Sequence, residues 1–186
     1  MHAPLFPLFV ASSVVVAAPS SSTLNACKDI SAAIPSQVSY PLSLSYYDES
    51  QEYWSVLLRD LKPACVVFPQ STEDVSKAMV ILNRYPDVFF TAKSGGHDPN
   101  PGHSTVKDGV LISMRDIAGA KYDATNDVAY VKPGGEWNDV IASLAEQNVT
   151  IVGGRLGIVG VGGFLLQGGI SFLSAQYGLA ADVSIF

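Results

Sequence analysis

The chain has 186 residues, and 48% of them are hydrophobic, enough to bury the core of one ordinary domain or two small ones. Its formal charge is −6 with no run of Lys or Arg, which argues against a nucleic-acid partner because phosphate binding needs clustered cations. No segment is a run of the ~18 uninterrupted apolar residues that a spanning helix needs, so no membrane span is expected.

Residues 1–18 read as a targeting segment. "PLFPLFVASSVVVAA" is apolar, and Val16-Ala17-Ala18 fits a small-residue cleavage site with Ala18 as the last residue removed. A secreted protein is the expectation. Residues 19–60 then form an N-terminal segment: a loose start, a helix over Leu24 to Ile34 ended by Pro35, and a mixed stretch. Tyr46, Tyr47, Tyr53 and Trp54 are expected to pack at its surface. Cys27 and Cys65 are an even pair, which in an oxidising compartment reads as one disulfide tying this segment to the main domain; two buried free thiols are the alternative. Asn148-Val149-Thr150 is a glycosylation sequon, which suits secretion.

Residues 61–186 form the expected main domain. "ACVVF" (64–68) is a short buried strand between Pro63 and Pro69. "STEDVSKAMVILNRYP" reads as a helix. Ser71 and Asp74 make a capping box, Val75, Ala78, Met79 and Leu82 share a face, and Pro86 stops it. "VFFTA" follows as a strand, so residues 64–92 should be a parallel, right-handed β-α-β unit. "GVLISM" is a further strand. "AKYDATNDVAYVKP" reads as a hairpin turning at Ala124–Asp127. "EWNDVIASLAEQN" is a helix with Trp137, Val140, Ile141 and Leu144 on its apolar face, Trp137 being core. "VTIVGG" reads as a strand running into glycines. Strands and helices mix without strict alternation, so the class is α+β.

Two glycine clusters carry the functional signal. The first is Ser94-Gly95-Gly96-His97; in the second, seven glycines fall between Gly153 and Gly168. Glycine inside an element costs roughly 0.5–1 kcal/mol, so such density needs a reason. One reason is close approach of bare backbone N–H groups to a phosphate or flat ring; the other is a series of tight turns, and composition does not separate the two. No Gly-Lys-Ser/Thr is present for a P-loop. Gly160 and Gly162 begin a dinucleotide fingerprint that fails at Leu165. A hydrolase elbow, G-x-S-x-G, is absent. His97 and His103, with Asp98 and Asp108 nearby, fall short of a zinc ligand set, and His103 reads as an ordinary loop residue.

"KSGGHDPNPG", "GVLISMRDI", "AYVKPGGEWNDV" and "VGGRLGIVGVGGFLLQGGISFLSAQYGLAAD", in that order, closely resemble the FAD-binding PCMH-type domain of the vanillyl-alcohol-oxidase superfamily, and best the fungal, secreted berberine-bridge-enzyme-like FAD-linked oxidoreductases. The resemblance covers residues 24–182. It implies FAD held between two small α+β subdomains, with the domain incomplete at its C-terminus. Ser94, Gly95 and Gly96 would cradle the pyrophosphate, and Lys93 and Asp98 flank them, with the charge of Lys93 suited to a nearby phosphate. His97 matches the histidine that bonds to the flavin in many members. Gly154, Gly157, Gly160, Gly162, Gly163, Gly168 and Gly169 match glycines lining the cofactor. Leu156 stands where some relatives carry a second linking cysteine, so any covalent attachment would be single. The family oxidises a small-molecule substrate, such as an alcohol, sugar or secondary metabolite, and passes electrons to oxygen. Its catalytic base and substrate domain lie beyond the matching residues, so weak or absent turnover is expected of this chain alone, and a non-catalytic flavin-binding or interaction module is the alternative.

Overall fold

The computed structural model describes residues 18–184, so the targeting segment, apart from Ala18, lies outside the described residues. Helix α1 (Ser21–Ala33) opens the fold, its first turn closed by Ser20, whose Oγ accepts from the Thr23 N–H. Strand β1 (Val38–Ser39), helix α2 (Leu44–Gln51) and the short helix α3 (Val56–Arg59) follow. Next come β2 (Cys65–Val67), α4 (Thr72–Leu82), β3 (Phe90–Lys93) and β4 (Val110–Ser113). These strands form one sheet in the order β1-β2-β4-β3, antiparallel at β1 and parallel elsewhere. β2 and β3 are therefore parallel, as the β-α-β reading requires, but β4 is inserted between them.

Strand alternation sorts the two faces of this sheet. Cys65, Val67, Val110 and Ile112 face α1 and α4, where Ala26, Ile30, Ala78, Ile81 and Leu82 complete the larger core. Val66 and Leu111 face the other way, under Tyr46 of α2 and beside Phe68. A disulfide joins Cys27 of α1 to Cys65 of β2, with Cα atoms 6.1 Å apart.

The second layer is the antiparallel hairpin β5 (Ala120–Asp123) and β6 (Val128–Val131), joined through the expected turn at residues 124–127. Helix α5 (Trp137–Ala145) packs on it through Trp137, Val140 and Leu144. α6 (Val161–Leu166), α7 (Ser174–Tyr177) and a 3₁₀ turn at Ala180–Val183 close the described chain.

Several expectations need correction. Tyr46 and Tyr53 are buried, not surface residues, at 6% and 4% exposure. The Tyr46 hydroxyl donates to the Pro63 carbonyl at 2.7 Å, and burial pushes its pKa up to about 12. Tyr47 and Trp54 are exposed as expected. "VTIVGG" is not a strand: Val149 and Ile151 pack against the Trp137 cluster, while Gly153 and Gly154 lie against the indole itself. Ile141 is 42% exposed, so the apolar face of α5 is narrower than its spacing implied. At α4, Ser71 Oγ accepts from the Asp74 N–H, but the Asp74 carboxylate accepts from Gln70 rather than Ser71, so the box closes one residue early.

Replacing Cys27 and Cys65 together by Ala should lower stability by about 3–4 kcal/mol, the chain-entropy expectation for a cross-link spanning 38 residues. Urea denaturation followed by circular dichroism measures it.

Candidate functional site

Strand β3 lies at the sheet edge with Thr91 and Lys93 facing inward and Phe90 and Ala92 exposed, and Ser94 begins the turn. Ser94 Oγ donates to the Pro133 carbonyl at 2.8 Å and accepts from the Gly162 N–H at 3.0 Å. Gly162 N–H also reaches the Pro133 carbonyl at 3.1 Å. One hydroxyl thus joins the first glycine bend, the segment ahead of α5, and the start of α6. The bends touch. A Cβ built on Gly95 would lie 2.7 Å from the Gly160 Cα, closer than Cβ atoms approach backbone, so the contact needs glycine. Gly96 has φ +66, and a side chain there would also meet Lys93 and the Tyr53 ring.

The touching bends wall a cavity of about 1080 Å³. Ordinary small-molecule pockets run to about 300–1,000 Å³, so there is room for an extended, dinucleotide-sized ligand. Lys93, Ser94, Gly95, Gly96, His97 and Asp98 line it from one side, and Gly160, Gly162, Gly163 and Gly169 from the other. The N–H groups of Gly95, Gly96 and His97 meet no acceptor among the described residues, as suits a site that binds anionic oxygens with backbone amides. Leu156 lies on the same wall. Val75, Met79, Phe90 and Met114 give an apolar end.

Three of the expected glycines sit elsewhere. Gly154 is pressed against the indole of Trp137, and Gly157 against the Asn138 amide. Gly168, at φ +92, takes a turn whose carbonyl accepts from the Ala181 N–H. All three serve packing or turning rather than the cavity wall.

Lys93 departs from its expected role. Its side chain is 2% exposed, with Nζ 2.9 Å from Glu49 Oε1 and bonded to the Glu49 and Glu52 carbonyls at 3.2 and 3.0 Å. It also lies 4.2 Å from the centroid of the Tyr53 ring. Arg115 completes the arrangement, Nη1 to Glu49 Oε2 at 3.1 Å. The Lys93 charge is matched within the fold, so the phosphate contact expected of it does not follow from this geometry. Arg155, which sequence reading passed over, lines the cavity and makes no ion pair among the described residues.

His97 is exposed on the cavity wall, its ring centroid 5.8 Å from that of Trp54. Trp54 Nε1 donates to the His97 carbonyl at 2.9 Å. Beyond it, Asp98 folds the loop. Its carboxylate accepts from the Asn100 backbone N–H and side-chain amide at 2.9 and 2.8 Å, and from His103 Nδ1 at 2.9 Å. These donors, the Asn100 backbone first and His103 next, hold the carboxyl below the usual carboxylate range.

Residues 63–185 match a family described as FAD binding domain. Over 146 residues, the chain is 41% identical to an uncharacterized FAD-linked oxidoreductase of Arthroderma benhamiae, covering 78% of this chain and 29% of that protein. It is 36% identical over 155 residues to an FAD-dependent monooxygenase, sdcF, of Emericella nidulans, covering 83% of this chain and 32% of the relative. The chain thus spans about a third of the length of these curated relatives. Among solved structures, wild-type BBE-like 1 of Physcomitrella patens superposes with a TM-score of 0.72 at 26% identity, over 84% of this chain and 34% of that one.

Two measurements check this geometry. Gly95→Ala should destabilise by about 1–3 kcal/mol in urea titration, because backbone cannot yield to the new methyl. Gly163→Ala, where a Cβ meets nothing within 4 Å, should not destabilise. For Asp98 the depressed folded pKa means its stabilising contribution is present above the unfolded Asp value of ~3.9 and is lost as pH falls through the folded value. Carboxyl carbon NMR titration should therefore place the Asp98 midpoint below that of unfolded Asp, and His103→Ala, which removes the leading side-chain donor, should raise it.

Proposed function

The chain belongs to the FAD-binding domain family, in the PCMH-type, berberine-bridge-enzyme-like branch of the vanillyl-alcohol-oxidase superfamily, and from that premise we propose that it is the cofactor-holding part of a secreted FAD-linked oxidoreductase. The contact between Gly95 and Gly160 carries the reading, because it makes two distant glycine bends into one cavity with His97 on its wall. The residues fit the group. Unpaired backbone amides at Gly95 to His97 suit a pyrophosphate, Arg155 adds a cation, and the cavity has the size of an extended dinucleotide. Bound FAD would supply two-electron chemistry, accepting hydride from a substrate C–H and returning electrons to oxygen.

The protein's own part is to bind, orient and shield. Ser94 fixes the separation of the two bends, and Trp54 fixes the His97 carbonyl. We assign to His97 a single covalent link to the flavin: its neutral imidazole nitrogen, nucleophilic near neutral pH, would replace a hydrogen of the 8α-methyl, the proton passing to solvent and the two electrons through the flavin to oxygen. Leu156, having no nucleophilic atom, offers no second attachment point. The substrate is proposed to be an alcohol, sugar or secondary metabolite. The Cys27–Cys65 disulfide supports an oxidising compartment, and exposed Asn148 is the proposed glycan site.

Full-length chain expressed with FAD should be yellow, and its flavin should stay with acid-precipitated protein. His97→Ala should release the flavin on precipitation while retaining it in native buffer. A wild-type chain that takes up no flavin under either condition would defeat the reading.

A further inference from the structure

We infer that Trp54 is part of the cofactor site, its indole forming the wall beside His97 and its Nε1–H holding the backbone that carries the imidazole. The inference rests on the FAD reading above. Trp54 precedes the family match, which begins at residue 63, so that match assigns it no role.

Its placement is unusual for a surface tryptophan. The side chain is 60% exposed, yet it is fixed through the 2.9 Å bond to the His97 carbonyl and by the imidazole at 5.8 Å, tilted 42° from the indole plane. A large aromatic body left in water while its polar edge is committed is arranged to meet something flat. The backbone behind it is held as well. Tyr53 is buried, its hydroxyl donates to the Ser104 carbonyl at 2.9 Å, and its own carbonyl accepts from Arg59 Nε at 2.6 Å. Tyr53 and Trp54 therefore grip the His97–Ser104 loop by a carbonyl at each end. Lys93, fixed by Glu49, packs over the Tyr53 ring and locks this pair to the strand that leads into the loop. Trp54 lines the same cavity as Gly95, Gly160 and Arg155, and Trp137 does not. The ligand chemistry that fits an immobilised, exposed indole beside an imidazole is a planar, electron-poor aromatic ring, which the flavin provides.

The test is Trp54→Phe in the full chain, with FAD as the titrant and flavin emission as the readout. Indole in contact with an excited flavin quenches it by electron transfer, a contact-range process, and Trp137 is closed off in the core as a constant background. At equal bound flavin, W54F should emit several-fold more strongly than wild type, whether or not the flavin is covalently held. It should also bind added FAD several-fold more weakly, and W54A more weakly still, while the melting temperatures of the flavin-free proteins fall by no more than about 2–4 °C, the loss of one part-exposed hydrogen bond. W54F that matches wild type in both emission and affinity overturns the inference and leaves the FAD reading standing. A wild-type chain that binds no FAD overturns the FAD reading and this inference with it.

Discussion

The Ser94 hydroxyl, donating to Pro133 and accepting from Gly162, sets the distance between the two glycine bends. Each partner is a backbone group, so no partner side chain can rotate to relax the arrangement. With that distance fixed, residues 95 and 160 come closer than any side chain permits. Both bends then line one cavity. Glycine enrichment in the sequence is thus a steric consequence at Gly95 and Gly160, and a conformational one at Gly96, where φ is positive.

A second constraint lies beneath the first. Lys93 is the inward-facing residue at the end of β3, and an unpaired ammonium at 2% exposure would be untenable. Glu49 answers it, with two backbone carbonyls and the face of Tyr53 completing its shell. The pair is expensive to desolvate and adds little net stability, and it ties α2 to the end of β3. The position of α2 in turn places Tyr53 and Trp54 over the loop that carries His97. The chain of cause runs from the inward register of Lys93, to ion pairing, to the orientation of a cavity wall.

Much of this was legible in the sequence, for identifiable reasons. The α4 and α5 helices and the β5–β6 hairpin follow from periodicity and turn chemistry, and they form where expected. The disulfide followed from the even pair of cysteines and the expectation of an oxidising compartment. Sequence reading lost accuracy where long-range contacts decide. Residues 44–54 carry no clean period, because α2 buries Tyr46, Glu49 and Ser50, a mixture of aromatic, charge and hydroxyl, rather than an aliphatic stripe. Residues 149–154 alternate like a strand but find their packing partner in Trp137. The same mixing hid the division of labour among the glycines. Gly154 and Gly157 make room for Trp137 and Asn138, and nothing local in the sequence separates them from Gly160 or Gly162. Arg155 stood in plain view inside the second cluster, next to the glycines that drew attention.

The Glu49–Lys93 pair has a consequence for modularity. The family match starts at residue 63, yet the carboxylate that neutralises Lys93, that of Glu49, lies upstream of that start. A piece excised at the match boundary would carry a buried cation with no counter-ion and a loop stripped of both its carbonyl grips. Glu49 and Lys93 belong to one folding unit, and a boundary drawn at residue 63 would cut through it.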